Sequence, residues 1–210
     1  KGAEPKGYKT GVKGYRSHYT GEKARPGYYR VQLTDSHVLA ELTATERAGI
    51  HRYTFQQSGE AHLLVDFAHG FHDDPATPTK VTDASLRLVG KDTLVGSRRV
   101  HQWANNRYIH FAMKVSRPID RAVLYSGDAP LAGAREAAGT NLKATLHYKH
   151  PDKAPLLVKV GISGVDIDGA LRNLDAEVPG WDFDGARDAA AAAWEKELGR
   201  IRVDAATEDT

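Results

Sequence analysis

Histidine and carboxylate residues are most densely clustered in the stretch DFAHGFHDD, residues 66–74. His69, His72, Asp73 and Asp74 carry imidazole and carboxylate groups, which ligate zinc and other divalent ions. Their spacing matches no helical H-E-x-x-H arrangement, and no third ligand can be identified. The stretch therefore favours a polar turn at the end of a strand over a metal site.

A second acidic stretch, DIDGALRNLDAE, has the outline of a calcium-binding loop, because Asp166, Asp168 and Gly169 precede Glu177. It lacks the carboxylate or asparagine expected just before the glycine, and the residues that follow have a helical pattern. A helix with an aspartate cap is the better interpretation, so the sequence predicts no metal ligands.

Glycoside hydrolysis needs two carboxyl groups across a sugar ring, one of them with a raised pKa. Several glutamates are available, but no spacing singles out a pair among Glu22, Glu41, Glu46, Glu177, Glu195 and Glu197. Ser17 and Ser163 lie in no nucleophile-elbow sequence. The residues by themselves therefore identify no catalyst.

Carbohydrate-binding sites commonly combine aromatic residues with polar neighbours, because the apolar face of a pyranose stacks on an aromatic ring while amides bind its hydroxyls. Trp103 is followed by Asn105, Asn106 and Arg107 at a predicted strand-to-strand turn, and PGYY, residues 26–29, has a similar composition. Such residues more often pack or cap turns, so both readings stay open.

Composition excludes several classes of protein. The 210 residues are 40% apolar, which is enough for a buried core, and the net charge of +2 with no single-sign block argues against a nucleic-acid partner. Cysteine is absent, so there is no disulfide or thiolate site. No segment has the roughly 18 apolar residues of a membrane span, and the first 29 residues contain no signal-peptide core.

Short runs rich in Val, Thr, Tyr and Leu, separated by Gly, Asp, Pro or Ser, predict a mainly β protein. The predicted strands are 28–34, 38–44, 50–55, 62–67, 80–89, 93–103, 107–115, 122–126, 141–147 and 156–162. Alternate residues from Ile109 to Val115 are apolar and core-facing. We expect an irregular segment over 1–27, an antiparallel β-sandwich over 28–163, and a loop or short surface helix at 128–140.

After Ile162 the apolar residues recur with the period of an α-helix, which predicts two helices. Asp168 is the predicted N-cap of the first, whose apolar stripe is Leu171, Leu174 and Val178.

The second helix is Ala-rich, with Asp182 or Asp184 as its cap. Its apolar stripe is Ala190, Trp194, Leu198 and Ile201. Residues 164–210 are therefore predicted to be a helical linker towards a further domain.

The stretch ELTATERAGIHRYTFQ, residues 41–56, predicts a hairpin that turns at ERAG. The pattern predicts that its apolar residues face the core: Leu42, Ala44, Ile50, Tyr53 and Phe55. It assigns the polar ones to turns and outer faces: Thr43, Thr45, Arg47, His51, Arg52 and Thr54. The alternation slips near His51, so some polar groups are expected to be buried with partners.

Four stretches together resemble a known family: ARPGYYRVQL, AELTATERAGIHRYTF, VGSRRVHQWANNRYIHFAMKVSRPI and the segment from residue 156 to residue 203. In order, content and spacing they are similar to the N-terminal region of the bacterial glycoside hydrolase family 92 enzymes, which are calcium-dependent, inverting exo-α-mannosidases. The resemblance covers almost the whole chain.

The resemblance implies a supersandwich-like β domain joined by a helical linker to a catalytic (α/α)6 domain, with the active site between them. It also implies mannose-containing glycans as substrates, N-glycan processing, and a secreted or periplasmic location. The catalytic residues and calcium ligands of the family belong to the helical domain, so none is expected in this chain and the isolated chain is expected to be inactive.

The chain departs from the family pattern near its start, since the Gly-rich opening segment is absent and HYTGEKA is shorter than the corresponding family stretch. We expect substrate contacts from six residues, namely His18, Glu22, His51, Arg52, Trp103 and Asn105. The expected function is one wall of a mannosidase active-site cleft that contributes to substrate selection. The alternative is a stand-alone carbohydrate-binding or protein-interaction sandwich.

Overall fold

A computed structural model describes residues 17–68, 80–102, 104–150 and 154–201. Strands fill most of these ranges, and two helices follow them. The strands are β1 Tyr19–Arg25, β2 Tyr28–Leu33, β3 Val38–Ala44, β4 Ala48–Phe55, β5 Gly59–Asp66, β6 Lys80–Val89, β7 Thr93–His101, β8 Arg107–Val115, β9 Arg121–Ser126, β10 Ala129–Leu131, β11 Glu136–Gly139, β12 Leu142–His150 and β13 Leu156–Ser163. The helices are α1 Ile167–Glu177 and α2 Phe183–Leu198.

The strands form two antiparallel sheets. The large sheet has the order β1-β2-β3-β4-β13-β8-β7-β6-β11, and the small sheet has the order β10-β9-β12-β5. This arrangement confirms the predicted antiparallel β-sandwich with two helices at its C-terminal end.

The main core lies between the two sheets and follows the period of two along each strand. Leu142, Ala144 and Leu146 of β12 are fully buried in it. From β8 the same core receives Phe111, Met113 and Val115, as the sequence predicts. Ala112, between them, faces the other side of the large sheet.

That other side is covered by the helices. Ile50, Val95 and Ala112 of the sheet pack against Leu174 of α1 and Phe183 of α2. The middle of the large sheet is thus buried on both faces, which explains why several of its strands lack a simple apolar–polar alternation.

Two stretches predicted to lack strands contain them. β1 lies within the predicted irregular segment, and all seven of its residues are exposed, so it has no apolar alternation to detect. The predicted loop or surface helix at 128–140 instead contains β10 and β11, which pair with β9 and β6. Both are too short to show a period of two. The histidine-rich turn at 69–74 lies outside the described residues.

The helix caps match the prediction in part. The N-cap of α1 is Asp166 rather than Asp168, because the Asp166 side chain accepts the backbone N–H of Gly169. Asp182, one of the two residues predicted to cap α2, accepts the backbone N–H of Gly185 at 2.9 Å.

The apolar stripe of α2 is largely exposed, at 52% for Trp194, 53% for Leu198 and 81% for Ile201. Of the described helices, neither is long and apolar enough to cross a membrane.

A close approach between β13 and α1 generates a stability prediction. A Cβ atom at Gly161 would meet the carbonyl oxygen of Ala170 and lie 2.7 Å from Leu174 Cβ. We expect Gly161→Ala to lower the free energy of unfolding by about 2 kcal/mol, because the helix must shift away from the sheet. Urea denaturation measures this, with Gly164→Ala as the control, since no atom lies within 4 Å there. Equal midpoints for the two variants would contradict the packing argument.

Candidate functional site

The hairpin formed by β3 and β4 carries a buried ion pair on its helix-facing side. Glu41 and Arg52 are directly opposite in the strand register. Arg52 Nε donates to Glu41 Oε2 at 2.7 Å and Nη2 donates to Oε1 at 2.9 Å, so the contact is bidentate. The hydroxyl of Tyr28 donates to the same carboxylate at 2.8 Å. Glu41 is 8% exposed, so these donors replace most of its water.

The same guanidinium reaches α2. Arg52 Nη1 donates to Asp184 Oδ2 at 2.9 Å, and the guanidinium carbon lies 4.3 Å from the centroid of the Phe183 ring. Asp184 is in the first turn of α2, where a carboxylate is also favoured by the helix dipole. Arg52 thus ties β4 to the start of α2 through charge and ring contact together.

These groups are held in their charged forms. Hydrogen bonding from Arg52 lowers the pKa of Glu41 against the opposing effect of burial, and it also lowers the pKa of Asp184. The two carboxylates in turn raise the pKa of Arg52. A general acid needs a raised carboxyl pKa, so this network is suited to holding elements together and unsuited to proton transfer.

The hairpin turn holds the end of α1. Glu177 accepts from the Thr45 hydroxyl at 2.5 Å, from the Arg47 backbone N–H at 2.9 Å and from Arg47 Nε at 2.6 Å. These bonds lower the pKa of Glu177, although burial alone would raise it. The last residue of α1 is therefore fixed to the β3–β4 turn.

A buried lysine completes the attachment. Lys159 of β13 is 3% exposed, and its Nζ donates to the carbonyl oxygen of Val178 at 2.6 Å. The ammonium also lies 4.8 Å from the Trp181 ring centroid. Its pKa is lowered by burial, next by the nearby Lys114. A cation that binds carbonyls at a helix C-terminus is favourable for both hydrogen bonding and the dipole.

The turn between β1 and β2 approaches the body of α2. Gly27 has a φ of 81°, and a Cβ there would lie 2.9 Å from the backbone carbon of Ala190. The run of alanines in α2 therefore has a packing role at this point, because a larger residue would hold the turn away from the helix. We call three sets of contacts the sheet–helix junction: those of Arg52 with α2, those of Glu177 with the β3–β4 turn, and those of Lys159 with the residues after α1.

The junction corrects two side-chain orientations predicted for the hairpin. Thr43, predicted to face outward, is buried because its hydroxyl donates to the Gly27 carbonyl oxygen at 2.7 Å. Ala44, predicted to face the core, is exposed at the end of β3. The hairpin itself and its turn are confirmed by the β3–β4 register.

His51 points away from the junction, to the opposite face of the sheet. Its Nδ1 lies 2.9 Å from the Tyr53 hydroxyl, and the two rings meet edge to face at 5.8 Å. Burial lowers the pKa of His51, so the imidazole is neutral at pH 7. A neutral imidazole can both donate and accept a hydrogen bond, which suits contact with a sugar hydroxyl.

Glu22 lies on the same face as His51. Glu22 Oε1 accepts from the Tyr29 hydroxyl at 2.7 Å, and the register runs from Tyr29 through Leu42 to His51. This hydrogen bond raises the pKa of Tyr29. We call Glu22, Tyr29 and His51 the polar face of the large sheet.

His18 and Asn105, two further predicted site residues, lie outside the polar face. His18, just before β1, donates its backbone N–H to Asp35 at 2.9 Å, and its Nδ1 lies 3.1 Å from Asp35 Oδ1. Asn105 is exposed in the turn that joins β7 to β8. Trp103 lies outside the described residues.

Strand register separates Asn105 from the polar face. His51 is level with Val115, through Val158. Arg107, at the start of β8, is eight residues from Val115, or roughly 26 Å along the strand. The predicted site residues that the structure describes therefore do not form one cluster.

Sequence reasoning missed the partners of the hairpin. Asp184 and Glu177 are the residues that satisfy its polar groups, and the slip in alternation near His51 was the available signal. Among the described residues, no group of three or more His, Cys, Asp or Glu side chains could hold a metal ion.

Comparison with models of known protein families identifies the family of this chain. Residues 2–163 match the family model described as the glycosyl hydrolase family 92 N-terminal domain. The chain belongs to glycosyl hydrolase family 92. Residues 169–210 match the model of the family 92 catalytic domain, so the match to that domain begins within α1.

Solved structures agree with this family. A family GH92 α-mannosidase from Bacteroides thetaiotaomicron is 31% identical with a TM-score of 0.82, over 91% of this chain and 26% of that chain. A family GH92 inverting mannosidase from the same organism is 22% identical with a TM-score of 0.77, over 91% and 25% of the two chains. The second likeness shows the fold alone.

A curated relative is an uncharacterized secreted glycosidase from Arthroderma benhamiae, which is 26% identical over 89% of this chain and 26% of the relative. This family 92 chain thus spans about a quarter of the length of the proteins it matches.

The junction predicts that Glu41→Gln destabilises this family 92 domain. The variant places an amide beside Arg52 and removes the carboxylate that satisfies it, so we expect a loss of about 2 kcal/mol in the free energy of unfolding. Urea denaturation at pH 7 measures the loss. The matched control is Glu136→Gln, at an exposed position of β11, for which we expect no change. A loss of stability no larger than in the control would show that the ion pair is dispensable.

The junction also predicts a pH dependence. Because the pKa of Glu41 in the folded protein is below its ordinary value of 4.5, its contribution is complete above pH 4.5 and is lost as the pH falls through the lowered value. Asp184 and Glu177 act in the same direction. Stability should therefore decrease between about pH 5 and pH 3. The urea midpoint of Glu41→Gln should decrease less across that pH range than the midpoint of the unsubstituted protein. If the midpoints of the two proteins decrease in parallel, Glu41 does not contribute to the pH dependence.

Proposed function

We propose that this chain is the N-terminal domain of an inverting exo-α-mannosidase-like enzyme and forms one wall of its active-site cleft. A C-terminal (α/α)6 domain would supply the opposite wall and the catalytic carboxyl groups. The observation that carries the proposal is the sheet–helix junction. It fixes the family 92 N-terminal fold rigidly to helices in the segment that matches the catalytic domain.

The exposed stripe of α2 supports the same arrangement. Trp194 and Leu198, towards the C-terminal end of α2, and Ile201, just after it, leave apolar surface uncovered. Uncovered apolar residues in a row are typical of an interface. We propose that the remaining helices of the catalytic domain pack there, so that the junction sets the angle between the domains.

The polar face is our proposed contribution to substrate selection. Glu22 presents an exposed carboxylate, and His51 and Tyr29 present groups that can bind hydroxyls. Mannose-containing glycans, including N-glycans, are the proposed substrates. Arg52 would act indirectly, since its donors are engaged by Glu41 and Asp184. His18, Asn105 and Trp103 remain predicted substrate contacts.

Calcium is proposed for the complete enzyme, with its ligands in the catalytic domain. Two acidic residues of the stretch that resembles a calcium loop are already engaged, because Asp166 caps α1 and Glu177 accepts from Thr45 and Arg47. Inversion would use one carboxylic acid to protonate the leaving oxygen and one carboxylate to activate water, about 6.5–9.5 Å apart. The similarity to a secreted glycosidase supports export, as a secreted or periplasmic protein.

Hydrolysis of an α-mannoside tests this function. We expect no activity from the 210-residue chain and calcium-dependent, inverting activity from a longer chain with a complete family 92 catalytic domain. In that longer chain Glu22→Gln should raise KM several-fold with little change in kcat, because it alters binding of the substrate. The control is Glu136→Gln. Hydrolysis by the 210-residue chain would overturn the placement of the catalytic groups.

The alternative function is a stand-alone carbohydrate-binding sandwich, which predicts a different result when this chain is titrated with mannose. Saturable binding that is lost in Trp103→Ala, together with inactivity of the longer chain, would favour that function. No measurable mannose binding by this chain, together with activity of the longer one, favours the mannosidase domain.

A further inference from the structure

Tyr53 is the anchored member of the pair that it forms with His51. In the strand register Tyr53 lies between Ala40 of β3 and Leu156 of β13, which are both buried, and its ring packs against the main core. His51 is two residues earlier on the same face of β4 and meets the Tyr53 ring edge to face. The core therefore fixes the Tyr53 hydroxyl in place before any ligand binds.

The Tyr53 hydroxyl has one hydrogen-bond partner in the described part of the chain. Its oxygen lies 2.9 Å from His51 Nδ1. Burial raises the pKa of Tyr53 to about 12, so the side chain is a neutral phenol at pH 7. A phenol has one O–H donor, and leaving a buried donor unpaired is costly. Since the imidazole is its one described acceptor, the hydroxyl donates to Nδ1.

That bond selects one tautomer of His51. Burial lowers the pKa of His51, so the imidazole is neutral at pH 7 and carries a proton on one of its two nitrogens. An Nδ1 atom that accepts a hydrogen bond does not carry that proton, which is therefore on Nε2. His51 thus presents an N–H donor at Nε2.

The Nε2 atom of His51 lies towards Gly49. A Cβ atom at Gly49 would be 3.8 Å from Nε2, so the glycine leaves the space beside this nitrogen without a side chain of its own. Within the ranges that the structure describes, Nε2 makes no hydrogen bond. An N–H donor that is oriented but not yet used is suited to an acceptor on a ligand.

We propose that Tyr53 is a positioning residue for substrate binding, which holds His51 as an Nε2–H donor to an oxygen atom of the sugar. This inference rests on the proposed function, because it assigns a ligand to the polar face. A hydroxyl or ring oxygen accepts such a bond, whereas the ammonium group of an amino sugar cannot. Glu22, on the same face, is an acceptor and has the opposite preference.

Nitrogen NMR of the isotopically labelled 210-residue chain tests the tautomer, because protonated and unprotonated ring nitrogens resonate apart. Loss of one set of signals in His51→Gln assigns them to His51. We expect the proton on Nε2 in the unsubstituted chain and a mixture of both tautomers in Tyr53→Phe, which lacks the donor. Tyr19→Phe, at an exposed position of β1, is the control and should change nothing. A proton on Nδ1 in the unsubstituted chain would overturn the proposal.

Steady-state hydrolysis of an α-mannoside by a longer chain with a complete family 92 catalytic domain tests the role in binding. Tyr53→Phe should raise KM about fivefold with little change in kcat, because the ring stays and only control of the donor is lost. His51→Leu should raise KM at least as much. His51→Gln should restore most of the loss, because its amide can place an N–H near the position of Nε2. His101→Gln, at the exposed end of β7, is the control.

The outcomes separate this inference from the proposed function. An inactive longer chain contradicts the mannosidase and the substrate contact with it. An active longer chain whose KM is unchanged in Tyr53→Phe contradicts the positioning role alone, whether or not His51→Leu raises KM. Circular dichroism and urea denaturation show that each variant is folded under the assay conditions, so that a raised KM reports binding.

Discussion

The bidentate contact between Arg52 and Glu41 is the interaction on which the arrangement of sheet and helices depends. Arg52 must be an arginine, because its planar group satisfies Glu41 with two nitrogens, Asp184 with a third and the Phe183 ring with its face. A lysine could supply the positive charge, but its ammonium group lacks the planar arrangement of N–H donors that these contacts need. Removing a charge pair from water is costly, and the contacts to Tyr28 and Phe183 offset that cost.

The position of this pair follows from a larger constraint, since the middle of the large sheet is covered on both faces. One face is covered by the small sheet and is apolar. The other receives two helices through an apolar centre around Ile50 and Leu174, with charged groups around it. Apolar packing is not directional, so it would not by itself fix the position of the helices on the large sheet. The charged groups supply directional contacts that fix it. Arg47 with Glu177 and Lys159 with the Val178 carbonyl fix the end of α1 in the same way.

The two faces of strand β4 carry different sets of contacts. The helix-facing side of β4 holds α2 through Arg52, while its opposite side presents His51 on the face that also carries Tyr29 and Glu22. Adjacent residues of one strand thus have separate tasks because side chains alternate between faces. In the proposed enzyme, a change at Arg52 would act on the angle between domains and a change at Glu22 on the substrate.

The sequence by itself determined the mainly β architecture, the β3–β4 hairpin and the two closing helices, because apolar period and turn residues are local properties. It missed β1, whose seven residues are all exposed, and placed the α1 cap two residues late. Only the tertiary structure decided that Thr43 is buried, that Arg52 binds the helices and that Asn105 is far from His51. Those facts depend on which distant residues meet across the sheet, Asp184 for Arg52 and Gly27 for Thr43, and no local pattern encodes such pairings.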